Sequence, residues 1–350
     1  MDTIETRILN LKKELGPQTL ILGHHYQRAG IVKLADRIGD SFGLAKAASE
    51  SREAKNIVFC GVRFMAESAA ILCRDDQRVY HPEPEAGCPM ADMAPMDSVE
   101  YAWKTLTSRA DFAGRSMSPV TYMNSHAPLK AFTGRHGGVV CTSSNAAKTM
   151  EWAWAKSDLV LFFPDEHLGR NTGKAMGLKD SEMKIWYPSK PDGGIDSLNG
   201  VRLLLWNGHC PVHMKFTLRD VNFIREHFPN AKIAVHPECT EEVVSRADAV
   251  GSTEFLVNYI SKLPAKTQVF VGTEINLVDR LRRENPQIRV EALFRSLCPT
   301  MYKVNLQKLE RTLISIREGD QNLEAVPMPP EIKNPARLAL EQMLKLQGMN

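Results

Sequence analysis

KIAVHPECTEEVVSRADAVGSTEFLVNYISKLPAKTQVFVGTE, residues 232–274, contains one complete structural period. Two short apolar runs, KIAV and QVFVG, bracket the helical pattern TEFLVNYISKL. Continuous β-branched runs of this length suit strands buried on both faces of a parallel sheet. The first run ends at His236, Ser252 then opens the helix, and the second run ends at Gly272.

The same order of features occurs twice more. His24, Ser41 and Gly61 form one series; Asn124, Ser143 and Pro164 form another. The first intervals are 17, 19 and 16 residues, and the second are 20, 21 and 20. Each series then leads to a Cys-Pro pair, at Cys88, Cys210 and Cys298, after 27, 46 and 26 residues. The 46-residue interval contains LKDSEMKIWYPSKPDGGIDSLNG, whose Gly, Pro, Asp and Ser content reads as an inserted loop near 178–198. Matched offsets of this kind indicate internal repeats.

Strands alternating with helices define an α/β protein. The expected fold is three related α/β/α units with small parallel sheets around a pseudo-threefold axis, with the site at their central interface. The expected units are 1–104, 105–225 and 226–319, with C-terminal helices 320–350 packing back on the first. The tail is read as helices divided by PMPPE.

Composition narrows the function. The chain has 350 residues, 43% hydrophobic and 24% charged, with a net charge of +3. That balance carries neither the basic footprint of a nucleic-acid binder nor a polybasic membrane anchor. No apolar run is long enough to span a bilayer. The start, MDTIETRILNLKKEL, lacks signal-peptide character, so a cytoplasmic location is expected. There reduced thiols are the rule, and the seven cysteines are candidates for metal binding or catalysis. Phosphate loops of the G-x-x-x-x-G-K-[ST] type, dinucleotide fingerprints and G-x-S-x-G elbows are absent.

In parallel sheets, ligands bind beyond the carboxyl ends of the strands. His24, Asn124, His236 and the three Cys-Pro cysteines all fall there, so three thiols can converge on one cavity. Three cysteines suit several roles. Structural zinc takes four protein ligands, and catalytic zinc commonly includes histidine. A four-iron cluster held by three thiolates keeps one iron open. Small buried cysteines that simply fill strand ends are the plain alternative, preferred for Cys60, Cys73 and Cys141. Ser41, Ser143 and Ser252 stand where helix N-caps belong, and three such helix starts aimed at one cavity would suit an anionic substrate. His236 and Glu238, like His24 and Tyr26, are two residues apart and share a strand face, a pairing able to bind anions and move protons. His213, three residues after Cys210, is placed as a substrate contact.

The chain resembles the quinolinate synthase family, the A-protein of de novo NAD synthesis. The resemblance rests on GHHYQ, LADRIGDSFGLA, FCGVRFMAESAAIL, EAGCPMADM, TYMNS with LKA, CTSSNA, FPDEHLGR, WNGHCPVH, HPEC, ADAVGST, VGTE and CPTM, in that order from about residue 20 to 305. It implies a [4Fe-4S] cluster on Cys88, Cys210 and Cys298, with Met301 close by. It implies condensation of iminoaspartate with dihydroxyacetone phosphate to quinolinate, phosphate and water. The implied substrate set is His24, Tyr26, Ser41, Tyr122, Asn124, Ser143, His213, His236, Glu238, Ser252 and Thr253, with Glu238, Tyr26, His24 and His213 catalytic. A functional link to an iminoaspartate-producing enzyme is also implied. Departures from the family pattern are Ser125-His126-Ala127 after Asn124, extra residues around TGRHGG, and the 178–198 segment. The competing readings are another [4Fe-4S] hydro-lyase acting on a small hydroxy acid, and a non-enzymatic iron-sulfur sensor.

Overall fold

Residues 3–347 are described by a computed structural model. Three separate parallel sheets form, each from one of the repeated series. The first comprises β1 (Thr19–His24), β2 (Arg37–Gly39), β3 (Asn56–Cys60) and β4 (Arg78–Tyr80). The second comprises β5 (Met117–Tyr122), β6 (Val139–Cys141), β7 (Leu159–Phe163), β8 (Met183–Trp186) and β9 (Leu203–Trp206). The third comprises β10 (Lys232–Val235), β11 (Ala249–Val250), β12 (Gln268–Gly272) and β13 (Arg289–Ala292).

The first and third sheets share one order, β2-β1-β3-β4 and β11-β10-β12-β13. The second repeats it as β6-β5-β7-β9, with β8 added beyond β9. This corrects one expectation. The 178–198 segment is an edge strand flanked by turns, since β8 pairs in parallel with β9 from Met183↔Leu203 to Trp186↔Trp206. Its four residues include a lysine and lie among turn formers, so the strand signal was masked. Trp186 packs inward, buried beside Leu198 and Trp206.

The strands are apolar because helices cover both sheet faces. LVLFF of β7 and LLLW of β9 are buried throughout; each such side chain contributes about 1.5–3 kcal/mol. One core is continuous between the first and second units, from Leu22 and Phe59 to Val120 and Phe162.

The tail departs from the expected packing on the first unit. Helix Leu306–Glu318, expected within the third unit, packs on helix Ile4–Leu15 of the first, with Arg7 paired to Glu310 at 2.6 Å. Helix Pro330–Gln347 instead lies chiefly against helix Ala127–Arg135 and β6 of the second unit, while also touching helix Arg63–Leu72. Gly134 permits this: a Cβ there would overlap the Pro335 carbonyl. Residues 348–350 of the expected 320–350 segment, and residues 1–2, lie outside the described residues. No helix among the described residues is long and apolar enough to cross a membrane.

Candidate active site

The three units meet at a pocket with a cavity volume of about 70 Å³. The first unit supplies His24, Tyr26, Ser41 and Cys88. The second supplies Tyr122, Asn124, Ser143 and Cys210. The third supplies His236, Glu238, Thr253 and Cys298, with Met301 beside them. His24 ends β1 and Tyr122 ends β5, whereas His236 follows β10 directly. The cysteines sit on the loops after β4, β9 and β13. Gly208 lets the β9 loop pass, because a Cβ there would overlap the Pro164 carbonyl.

The serines behave differently from the expected caps. Asp40 caps the helix at Ser41, accepting from Gly43 N at 2.8 Å. The helix after Ser143 starts only at Ala146, leaving Ser143 Oγ 3.2 Å from His236 Nε2. Ser252 alone is a cap, accepting from Phe255 N at 3.2 Å. It faces an adjacent recess with Asp40 and Ser144, and Thr253 takes its expected place in the pocket.

A chain of polar contacts crosses all three units. Tyr122 Oη donates to Glu238 Oε1 at 2.5 Å. His213 Nδ1 lies 2.6 Å from Glu238 Oε2. The Tyr26 hydroxyl is 2.7 Å from Thr273 Oγ1, and His213 Nε2 is 3.4 Å from each of those oxygens. His213 is buried behind the pocket wall and stacks on His236 with centroids 4.5 Å apart. Thr273 was missed in the sequence. Its signals are its place in VGTE and just beyond β12, one residue past Gly272, the strand end equivalent to Gly61 and Pro164.

Burial sets the charge states. It would raise the Glu238 carboxyl, but His213, His236 and the hydrogen bonds from His213 and Tyr122 hold it below the usual range. Burial pushes His236 down to about 3, against the opposing pull of Glu238. His24 is also depressed, by burial first and then by His25 and Arg280. Burial and the Glu238 charge raise both Tyr26 and Tyr122, which stay protonated phenols at neutral pH.

The cysteines divide into two sets. Cys60, Cys73, Cys141 and Cys239 are buried in the cores, while Cys88, Cys210 and Cys298 are partly open and line the pocket. Burial pushes the Cys88 thiol up to about 12, and Cys298 adds to the rise. Burial, Glu238 and the other two thiols raise Cys210. Thiols that oppose one another's ionisation need a bound cation to become thiolates together. The set therefore fits a group that takes three thiolates. Cys210, His213 and Glu238 also have ligand atoms within 4.8 Å of one another. Two of those three, His213 and Glu238, already pair with each other at 2.6 Å.

Strand ends of three parallel sheets converging on buried thiols, imidazoles and a carboxylate define a class: a three-unit α/β enzyme with a shared central site. The chain belongs to the quinolinate synthetase A protein family, whose model matches residues 6–345. It is 46% identical to the quinolinate synthase of Corynebacterium glutamicum, over 99% of this chain and 88% of that protein. Identity to the quinolinate synthase of Acidobacterium capsulatum is 43%, over 99% and 94% of the two chains. For the Bacillus subtilis quinolinate synthase it is 42%, over 98% and 93%.

Proposed function

We propose that the protein is a quinolinate synthase of NAD biosynthesis. It condenses iminoaspartate with dihydroxyacetone phosphate, forming quinolinate and releasing phosphate and water. The observation that carries this reading is the convergence of Cys88, Cys210 and Cys298, one from each unit, on the pocket that also holds Glu238. These thiolates would hold a [4Fe-4S] cluster with one iron free of protein ligands. That iron supplies a Lewis acid for a substrate carboxylate or hydroxyl.

The protein's own groups then divide the work. Ionised Glu238 accepts protons at Oε1 and Oε2, where Tyr122 and His213 orient it. Protonated Tyr26 is a donor toward departing substrate oxygens, and Thr273 links it to His213. Neutral His24 and His236 offer ring nitrogens without adding charge. Ser41, Ser143, Asn124 and Thr253 present hydroxyl and amide groups to the phosphate and carboxylates. Ser252 supports Thr253 from behind by fixing the start of its helix.

Purified without oxygen and given both substrates, the protein should form quinolinate, detected chromatographically. A cluster-loaded protein that forms none, yet dehydrates another small hydroxy acid, would overturn the assignment.

A further inference from the structure

A buried lysine holds the turn that carries Asn124. Lys130, on helix Ala127–Arg135, has no exposed surface. Its Nζ donates to the Met123 carbonyl at 2.9 Å, to the Ser125 carbonyl, and to Ser125 Oγ at 3.3 Å. The two carbonyls bracket Asn124. Ser125 Oγ donates onward to the Tyr122 carbonyl at 2.8 Å. Every one of these acceptors belongs to residues 122–125, so one amine closes the whole turn. The Phe64 ring, itself part of the pocket wall, lies 5.6 Å from Nζ.

Burying an amine carries a large desolvation cost, and an apolar side chain would fill the same space without it. The hydrogen bonds are what the lysine adds. The turn they fix presents two pocket groups. Tyr122 reaches Glu238, and Asn124 Oδ1 is buried with no protein partner. A buried acceptor without a protein partner, in a residue that lines the pocket, calls for a donor from outside the chain.

We infer that Lys130 is a positioning residue that locks the 122–125 turn so that Asn124 can accept a hydrogen bond from a substrate hydroxyl or imine N–H. The inference rests on reading the pocket as the substrate site of the proposed reaction. Lys130 does not itself line the pocket and acts through Asn124 and Tyr122.

The test is Lys130→Met, which keeps the length and removes the donors, assayed at an iron content matched to the wild type. It should lower kcat/KM for quinolinate formation about tenfold or more, chiefly by raising KM, as loss of substrate binding does. If Lys130 acts through Asn124, the Lys130→Met/Asn124→Ala double variant is no worse than the worse single variant. A structural role alone gives additive losses. Hydrogen exchange reads the turn without activity: amides of residues 123–126 should exchange faster in Lys130→Met, with the third sheet unchanged. Wild-type kcat/KM, additive losses, or unaltered exchange in the turn would each overturn the inference. If the wild type forms no quinolinate, the reading of the reaction fails, and the exchange experiment still decides whether Lys130 holds the turn. Should Lys130→Met not fold, Ser125→Ala should raise KM in the same direction by less, and an unchanged KM there would overturn the inference.

Discussion

Glu238 is held between His213 and Tyr122, with His236 stacked on His213, and these contacts keep a fully buried carboxylate ionised. Glu238→Gln preserves the shape and removes the base. It should lower turnover by about 100-fold or more at unchanged iron content, the usual scale for a lost proton-transfer group; turnover near wild type would remove Glu238 from the mechanism. The buried histidines predict a pH dependence of stability. His24 and His236 are neutral in the folded state, with pKa values depressed by burial, that of His236 to about 3. Between that value and about 6.5 the unfolded chain binds the proton and the folded chain does not. Stability should therefore fall as pH drops below about 6.5, with each neutral histidine contributing about 1.4 kcal/mol per pH unit. His236→Asn should flatten that slope in denaturant titrations between pH 7 and 5; an unaltered slope would show that His236 is not buried neutral. At this scale much of the site was legible, because His24, Asn124, His236 and Glu238 stand at strand ends. The caps were not, because Asp40-Ser41 and Ser143-Ser144-Asn145 each offer several competent capping groups, and helix geometry chooses among them. Thr273 and Lys130 lie inside the VGTE and LKA stretches, yet their roles were hidden, since their partners lie across the fold or in a turn.

Strands were the most readable elements, because β1, β3, β7, β9, β10 and β12 are near-continuous apolar runs. β8 was lost among turn residues, and its inward Trp186 was the signal that could have shown it. The tail helices were visible as helices, but their partners were not. Docking of helix Pro330–Gln347 depends on a missing Cβ at Gly134, a feature that sequence shows only as one more glycine. Gly134→Ala should destabilise the protein by about 1–3 kcal/mol, the range for overpacking a close contact. Denaturant titration measures this, and an unchanged midpoint would mean that the helices do not cross there.

For the whole molecule, three repeats place three chemically matched strand ends around one pocket, and no single unit holds the set. The Cys-Pro pairs made that repetition readable, because their spacing from the preceding strand ends is nearly equal in the first and third units. The second unit's longer interval is explained by β8 and its flanking turns. The central claim is that Cys88, Cys210 and Cys298 jointly hold one cluster. Iron and sulfide determination after anaerobic purification tests it directly, on the wild type and on the Cys88→Ser, Cys210→Ser, Cys298→Ser and Cys60→Ser variants. The expected result is a brown wild type with about four irons and four sulfides per chain, loss of the cluster in each of the first three variants, and its retention in Cys60→Ser. A colourless wild type containing only zinc, or a cluster that survives loss of any of the three pocket cysteines, would contradict the account.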